Sequence, residues 1–275
     1  MSKLQLTARA VVEGVITGLH KSPHRGFSVE FSEHREYSAG DEIRHLDWRA
    51  FARSDRYYIK LYEQETNLRA TLVLDTSGSM NFAGKFDYGR HLAACLAYLL
   101  AMQQDLAGLA AVDEKLRVEL PAGSSPAHLD RLFKNLEALK PGKNTDLVRE
   151  LHELGERLPR RSLVILISDL WIDPADFTRS IQHLRYRKHQ LMVLHLLDRA
   201  EVDLPYEGQI TLQDLETDEK LQINAQDLRE TYQQQVNDYL AAIRRACNDG
   251  DAEYHPLFVD ESYDKALIKL VSRRM

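Results

Sequence analysis

The chain has 275 residues, a formal net charge of -6 and 44% hydrophobic residues, a balance that suits a compact protein with a sizeable core. An acidic balance argues against non-specific nucleic-acid binding. The chain has two cysteines, Cys95 and Cys247, and the stretch from Met1 to Arg9 lacks the apolar core of a signal peptide. A reduced, cytoplasmic protein is therefore expected. The longest apolar stretch, around Leu92 to Met102, is well short of the roughly twenty residues that span a bilayer, so no membrane insertion is expected.

In chain order, Thr7 to Leu19 has apolar residues at near-helical spacing, ended by Gly18 and Pro23. A region rich in charged and aromatic residues follows from Arg25 to Thr66, and its end, Tyr57 to Glu63, alternates like a strand. Strand Ala70 to Leu74 precedes a helix from Phe86 to Gln104 that is apolar on nearly all sides and so suits a position packed between other elements. Leu106 to Val112 and Leu116 to Leu120 form a hairpin pattern around Asp113-Glu114-Lys115. Helices are expected at Pro126 to Leu139, Thr145 to Arg157 and Pro174 to Tyr186, with strands at Leu163 to Ile167 and Leu191 to Leu196.

Beyond Asp198, Gln209 to Leu215 and Lys220 to Ile223 suggest a second hairpin. Helix Asp227 to Cys247, strand Glu253 to Val259 and helix Tyr263 to Arg273 complete the pattern. The alternation implies an α/β fold with a doubly wound, mostly parallel sheet. The expected organisation is a charged and aromatic segment over 1–66, then an α/β domain over 67–275 with a hairpin insertion near 205–224.

The most informative stretch is Thr71 to Met80, T-L-V-L-D-T-S-G-S-M. An apolar strand ends in Asp75, and Ser77 and Ser79 follow at every second position, with Gly78 expected to turn the loop. Open α/β sheets place ligands at the carboxyl ends of their strands, and oxygen ligands there suit a hard divalent cation. Singly, each part also reads as an ordinary turn or helix cap.

The pattern D-x-S-x-S resembles the metal-ion-dependent adhesion site of von Willebrand factor A domains. Thr145, in Pro141-Gly142-Lys143-Asn144-Thr145-Asp146, and Asp169, after Leu163 to Ser168, follow in the family's order. The resemblance implies that Ser77, Ser79 and Thr145 bind a metal directly or through water, while Asp75 and Asp169 hold the waters and balance charge. Few anionic ligands, all oxygens, suit Mg²⁺, with Mn²⁺ or Ca²⁺ as substitutes. A partner's Asp or Glu would then complete the metal shell.

The N-terminal third carries Arg25 to Phe31, Arg35-Glu36-Tyr37, Gly40 to Arg44, Leu46 to Arg49 and Tyr58-Ile59-Lys60 ahead of the motif. It resembles the bacterial domain-of-unknown-function family fifty-eight, which joins such a segment to a von Willebrand A-like domain. That resemblance implies an adaptor or co-chaperone role beside a MoxR-type AAA+ ATPase, without catalysis. Asp169-Leu170-Trp171 departs from the Asp-Gly common at this position in A domains, which places Trp171 near the opening.

Arg44, Arg49, Arg53, Arg56 and Lys60 interleave with aromatics, but Asp41, Glu42, Asp47 and Asp55 offset them. An Arg-carboxylate network is therefore favoured over nucleic-acid binding. Zinc is disfavoured: Pro23 separates His20 from His24, and there is no Cys-x-x-Cys pair. The remaining enzymatic alternative is a Mg²⁺-dependent phosphohydrolase, for which the sequence supplies no evident nucleophile or general base.

Overall fold

The computed structural model describes residues 2–20, 34–36, 58–60, 68–142, 146–213 and 220–272. The chain divides into two compact units, 1–17 with 68–275, and 18–67. In the smaller unit, β1 (His34–Glu36) and β2 (Tyr58–Lys60) pair antiparallel, with Arg35 opposite Ile59. The remaining residues of the charged and aromatic segment, Trp48 among them, lie outside those described.

The larger unit begins with α1 (Lys3–His20), whose residues up to Thr17 belong to it. It continues through β3 (Arg69–Asp75), a 3₁₀ turn (Ser79–Gly84), α2 (Lys85–Met102), β4 (Leu106–Val112), β5 (Leu116–Gly123), α3 (Pro126–Ala138) and α4 (Leu147–Arg157). Then come β6 (Leu163–Ser168), α5 (Pro174–Tyr186), β7 (Gln190–Leu197), the short α6 (Arg199–Asp203), β8 (Gln209–Gln213), β9 (Lys220–Asn224), α7 (Ala225–Asp249), β10 (Glu253–Phe258) and α8 (Tyr263–Ser272). The first helix packs with this unit, whereas the sequence grouped it with the charged segment over 1–66. Leu4 N donates to Glu137 Oε1 on α3, and Tyr98 Oη on α2 donates to Glu13 Oε1.

The central sheet has six strands in the order β10-β7-β6-β3-β4-β5, and β5 alone runs antiparallel, to β4. This is the α/β, doubly wound, mostly parallel fold expected from the alternating pattern. Strand β6 is buried throughout and β3 from Ala70 onward, because both faces are covered. Val73 faces a core shared with Leu151 of α4, Phe177 and Ile181 of α5 and Ile243 of α7. On the other face α2 lies close, since a Cβ on Gly89 would meet Leu196, Ile167 and Leu74 at 3.0–3.2 Å. Tyr88 and Tyr263, with ring centroids 5.0 Å apart, join α2 to α8.

Two local departures from the expected elements have local causes. Helix α2 ends at Met102, where Gln103 caps it and Gln104 turns to a φ of 61°. Helix α4 starts at Leu147, with the Asp146 side chain accepting from Arg149 N as its N-cap. Strands β8 and β9 pair Gln209 with Asn224 and form a separate two-stranded sheet. Among the described residues no helix is long and apolar enough to cross a membrane.

Candidate metal centre

Strand order reverses at β3. The chain leaves it through α2 for β4 on one side and later enters β6 on the other, so the carboxyl ends of β3 and β6 form the crevice where such folds place ligands. Asp75 ends β3, and Asp169 directly follows β6.

The structure brings Asp75, Ser77, Ser79 and Asp169 together. Asp75 is 3% exposed, accepts the Ser77 amide at 2.9 Å through Oδ1 and accepts Ser168 Oγ at 2.6 Å through Oδ2. Ser77 Oγ and Ser79 Oγ are 3.1 Å apart, and Ser79 Oγ donates to Asp169 Oδ1 at 3.1 Å. Thr145 lies outside the described residues. Before it, Gly142 N donates to Thr76 O at 2.5 Å; after it, Asp146 N donates to Asp113 O at 3.0 Å. Position 142 admits only glycine without rearrangement, because a Cβ would stand 2.5 Å from Asp113 Oδ2.

Gly78 turns the loop as expected, without drawing on glycine's conformational freedom. It has φ -64° and ψ -37°, a right-handed conformation open to any residue. The positive φ values fall at Ala83 (49°) and Gly84 (78°), where the 3₁₀ turn gives way to α2.

The most consequential residue that the sequence reading passed over is Lys85, the first of α2. It is fully buried, and its Nζ donates to Asp169 Oδ2 and to Glu201 Oε1, each at 2.6 Å. Glu201 belongs to α6, in a capping box with Asp198, and its Oε2 accepts Asp198 N at 3.1 Å. The D-x-x-E spacing of Asp198 to Glu201 was a readable sign of that short helix. Nothing local predicts the burial of Lys85, since its partner Glu201 is 116 residues away.

Electrostatics treats the groups around the centre differently. Burial, followed by the nearby Asp169 charge, raises the Asp75 carboxyl to about 6, against the lowering effect of Ser168 and Ser77. Burial lowers His195 to about 4, so the ring is neutral at physiological pH. Its Nε2 donates to Asp169 O at 2.9 Å, and its Nδ1 accepts from Tyr254 Oη at 2.8 Å. The loop after Asp169 carries Leu170 at φ 54°, a costly conformation for a branched residue that surrounding bonds must hold. Tyr239 on α7 does so: its hydroxyl donates to Leu170 O and accepts Ile172 N at 3.2 Å. Trp171 between them is 42% exposed and stacks on Tyr239 with centroids 5.4 Å apart.

These oxygens fit Mg²⁺. Neighbouring ligands of an octahedron with bonds of about 2.1 Å lie about 3.0 Å apart, close to the 3.1 Å from Ser77 to Ser79 and from Ser79 to Asp169. Among the described residues no three His, Cys, Asp or Glu side chains group as ligands, so a cation here would depend on the hydroxyls.

Residues 33–241 match the family described as "Protein of unknown function DUF58", and the chain belongs to that family. It is 24% identical to the uncharacterised protein Rv1480 of Mycobacterium tuberculosis over 98% of this chain and 87% of that protein. Among solved structures it resembles BatB from Bacteroides thetaiotaomicron, with 19% identity, a TM-score of 0.51 and coverage of 75% of this chain and 98% of that one. It also resembles an aerotolerance-related membrane protein from Bacteroides fragilis, with 14% identity, a TM-score of 0.53 and coverage of 76% and 100%. At these identities the likeness concerns the fold.

Proposed function

We propose that this DUF58 protein is a non-enzymatic, Mg²⁺-dependent protein-interaction module, cytoplasmic, that serves as an adaptor or co-chaperone for a MoxR-type AAA+ ATPase. The observation that carries the reading is the convergence of Asp75, Ser77, Ser79 and Asp169 at the crevice between β3 and β6. Ser77 Oγ, Ser79 Oγ and Thr145 would hold the cation with Asp75 acting through water, while Asp169 Oδ1, bonded to Ser79 Oγ at 3.1 Å, would ligate it directly instead of through a water as the resemblance implies. When bound, Mg²⁺ supplies a Lewis-acidic anchor for a partner's carboxylate.

The chain's own groups do the rest. His195 fixes the Asp169 carbonyl, Lys85 fixes its carboxylate, and Tyr239 holds the following loop with Trp171 at the surface. The absence of catalysis is supported by how the nearby histidine is used. Both ring nitrogens of His195 already have partners, which disfavours it as a general base.

The test is capture of the purified MoxR-type ATPase encoded by the same genome, in Mg²⁺ and in chelator. Binding should require Mg²⁺ and be lost in Asp75→Ala/Ser79→Ala. Binding that survives both treatments overturns the metal-bridged mode. Phosphate release that depends on Mg²⁺ and disappears in the same variant overturns the non-enzymatic reading.

A further inference from the structure

Each aspartate of the centre has one oxygen committed to a strong donor inside the protein. Ser168 Oγ takes Asp75 Oδ2 at 2.6 Å, and the Lys85 ammonium takes Asp169 Oδ2 at 2.6 Å. Lys85 has no freedom to release it. The side chain is fully buried, its second bond goes to Glu201, and Glu201 is tied to the Asp198 amide. Asp169 therefore faces the serine hydroxyls through Oδ1 alone.

Cations differ in what they ask of a carboxylate. Ca²⁺ gathers six to eight oxygens and readily takes both oxygens of one carboxylate, whereas Mg²⁺ keeps to an octahedron of single oxygens and retained waters. A buried ammonium on one carboxylate oxygen opposes the first mode, by repelling a cation from that oxygen, and leaves the second open. It also offsets charge, because Asp75, Asp169 and Glu201 stand against Lys85, a balance that one divalent cation neutralises.

We propose that Lys85 is the specificity-determining residue of this centre: by holding Asp169 to single-oxygen ligation, it selects small octahedral cations, Mg²⁺ and Mn²⁺, over Ca²⁺. Lys85 acts through Asp169 and is a positioning residue. The inference rests on the metal-binding reading above and adds the origin of its selectivity.

The test is titration of the full-length protein with Mn²⁺, followed by electron paramagnetic resonance with Ca²⁺ as competitor. It compares wild type, Lys85→Met/Glu201→Leu and Glu201→Gln. The double variant removes the ion pair as a unit and so avoids stranding Glu201, while it frees Asp169 Oδ2. Its Ca²⁺-to-Mn²⁺ affinity ratio should rise about tenfold, the scale on which partners of metal ligands act. Glu201→Gln keeps the Lys85–Asp169 bond and should keep the wild-type ratio. Should the double variant not fold, Lys85→Leu/Glu201→Gln, in which position 85 likewise has no donor for Asp169 Oδ2, carries the same comparison with the same direction expected.

An unchanged ratio in a folded Lys85 variant overturns the proposal and reduces Lys85 to a structural role. Wild-type protein that takes up no Mn²⁺ at all is a distinguishable result, and it removes the metal centre itself.

Discussion

The carboxyl ends of β3 and β6 each present a buried aspartate, and the fold supports the two in opposite ways. Asp75 is held by neutral donors, a hydroxyl and an amide, and burial raises its carboxyl to about 6. Asp169 is held by an ammonium that is itself locked between two carboxylates. On the metal-binding reading, one strand end would carry a charge that a cation relieves, whereas the other is held by the Lys85 ammonium from the start. A ligand site can keep charge uncompensated at one position because its neighbour is compensated within the fold.

The strongest way to break this contrast is Lys85→Met. It leaves Asp169 and Glu201 buried without their partner and should cost about 3–5 kcal/mol, measured by urea unfolding of the metal-free protein. Adding Glu201→Leu should recover part of the loss. An effect below about 1 kcal/mol for the single variant would mean that the Lys85 pair is not the internal support described here.

Asp75→Asn should act in the opposite direction. Because the folded carboxyl is raised from 3.8 to about 6, the folded state binds the proton more tightly than the unfolded chain. Stability is then full below about pH 4 and is lost as pH rises through about 6. That interval corresponds to about 3 kcal/mol at pH 8. Asp75→Asn should therefore stabilise metal-free protein at pH 8 by up to about 3 kcal/mol and by little at pH 4. Unfolding curves at the two pH values check this, and the variant should also lose any stabilisation by Mg²⁺.

A smaller effect is expected at the loop that follows Asp169. Tyr239→Phe deletes the hydroxyl that holds Leu170 in its left-handed conformation and should cost about 1–2 kcal/mol. Trp171 should then show increased acrylamide quenching, compared against a Trp48→Phe background so that one indole reports.

Much of the fold was legible because apolar runs such as Leu163 to Ser168 are strands covered on both faces, and those runs are continuous in the sequence. The candidate residues were legible because they stand at or just after the ends of predicted strands. Asp75, Ser77 and Ser79 stand at alternate positions of one short stretch, and Asp169 directly follows an apolar run of strand length. Lys85 was not legible. It opens α2 in the stretch Lys85-Phe86-Asp87, which reads as a charged helix start, and its buried partners, Asp169 and Glu201, come from distant parts of the chain. The support from Tyr239 was hidden for the same reason, since its bond to the Leu170 carbonyl joins residues 69 apart. At Gly78 the chain turns as expected, but with an ordinary right-handed backbone, and the left-handed conformations nearby fall at Ala83 and Gly84.

The most direct test of the central claim is Mn²⁺ binding by electron paramagnetic resonance to wild type and to Ser77→Ala/Ser79→Ala, a change that removes two hydroxyls and leaves both aspartates in place. Wild type should bind one Mn²⁺ per chain, displaced by Mg²⁺, and the variant should lose that binding while its fold is retained. Mn²⁺ binding that is absent from wild type, or unchanged without the two hydroxyls, would contradict that claim.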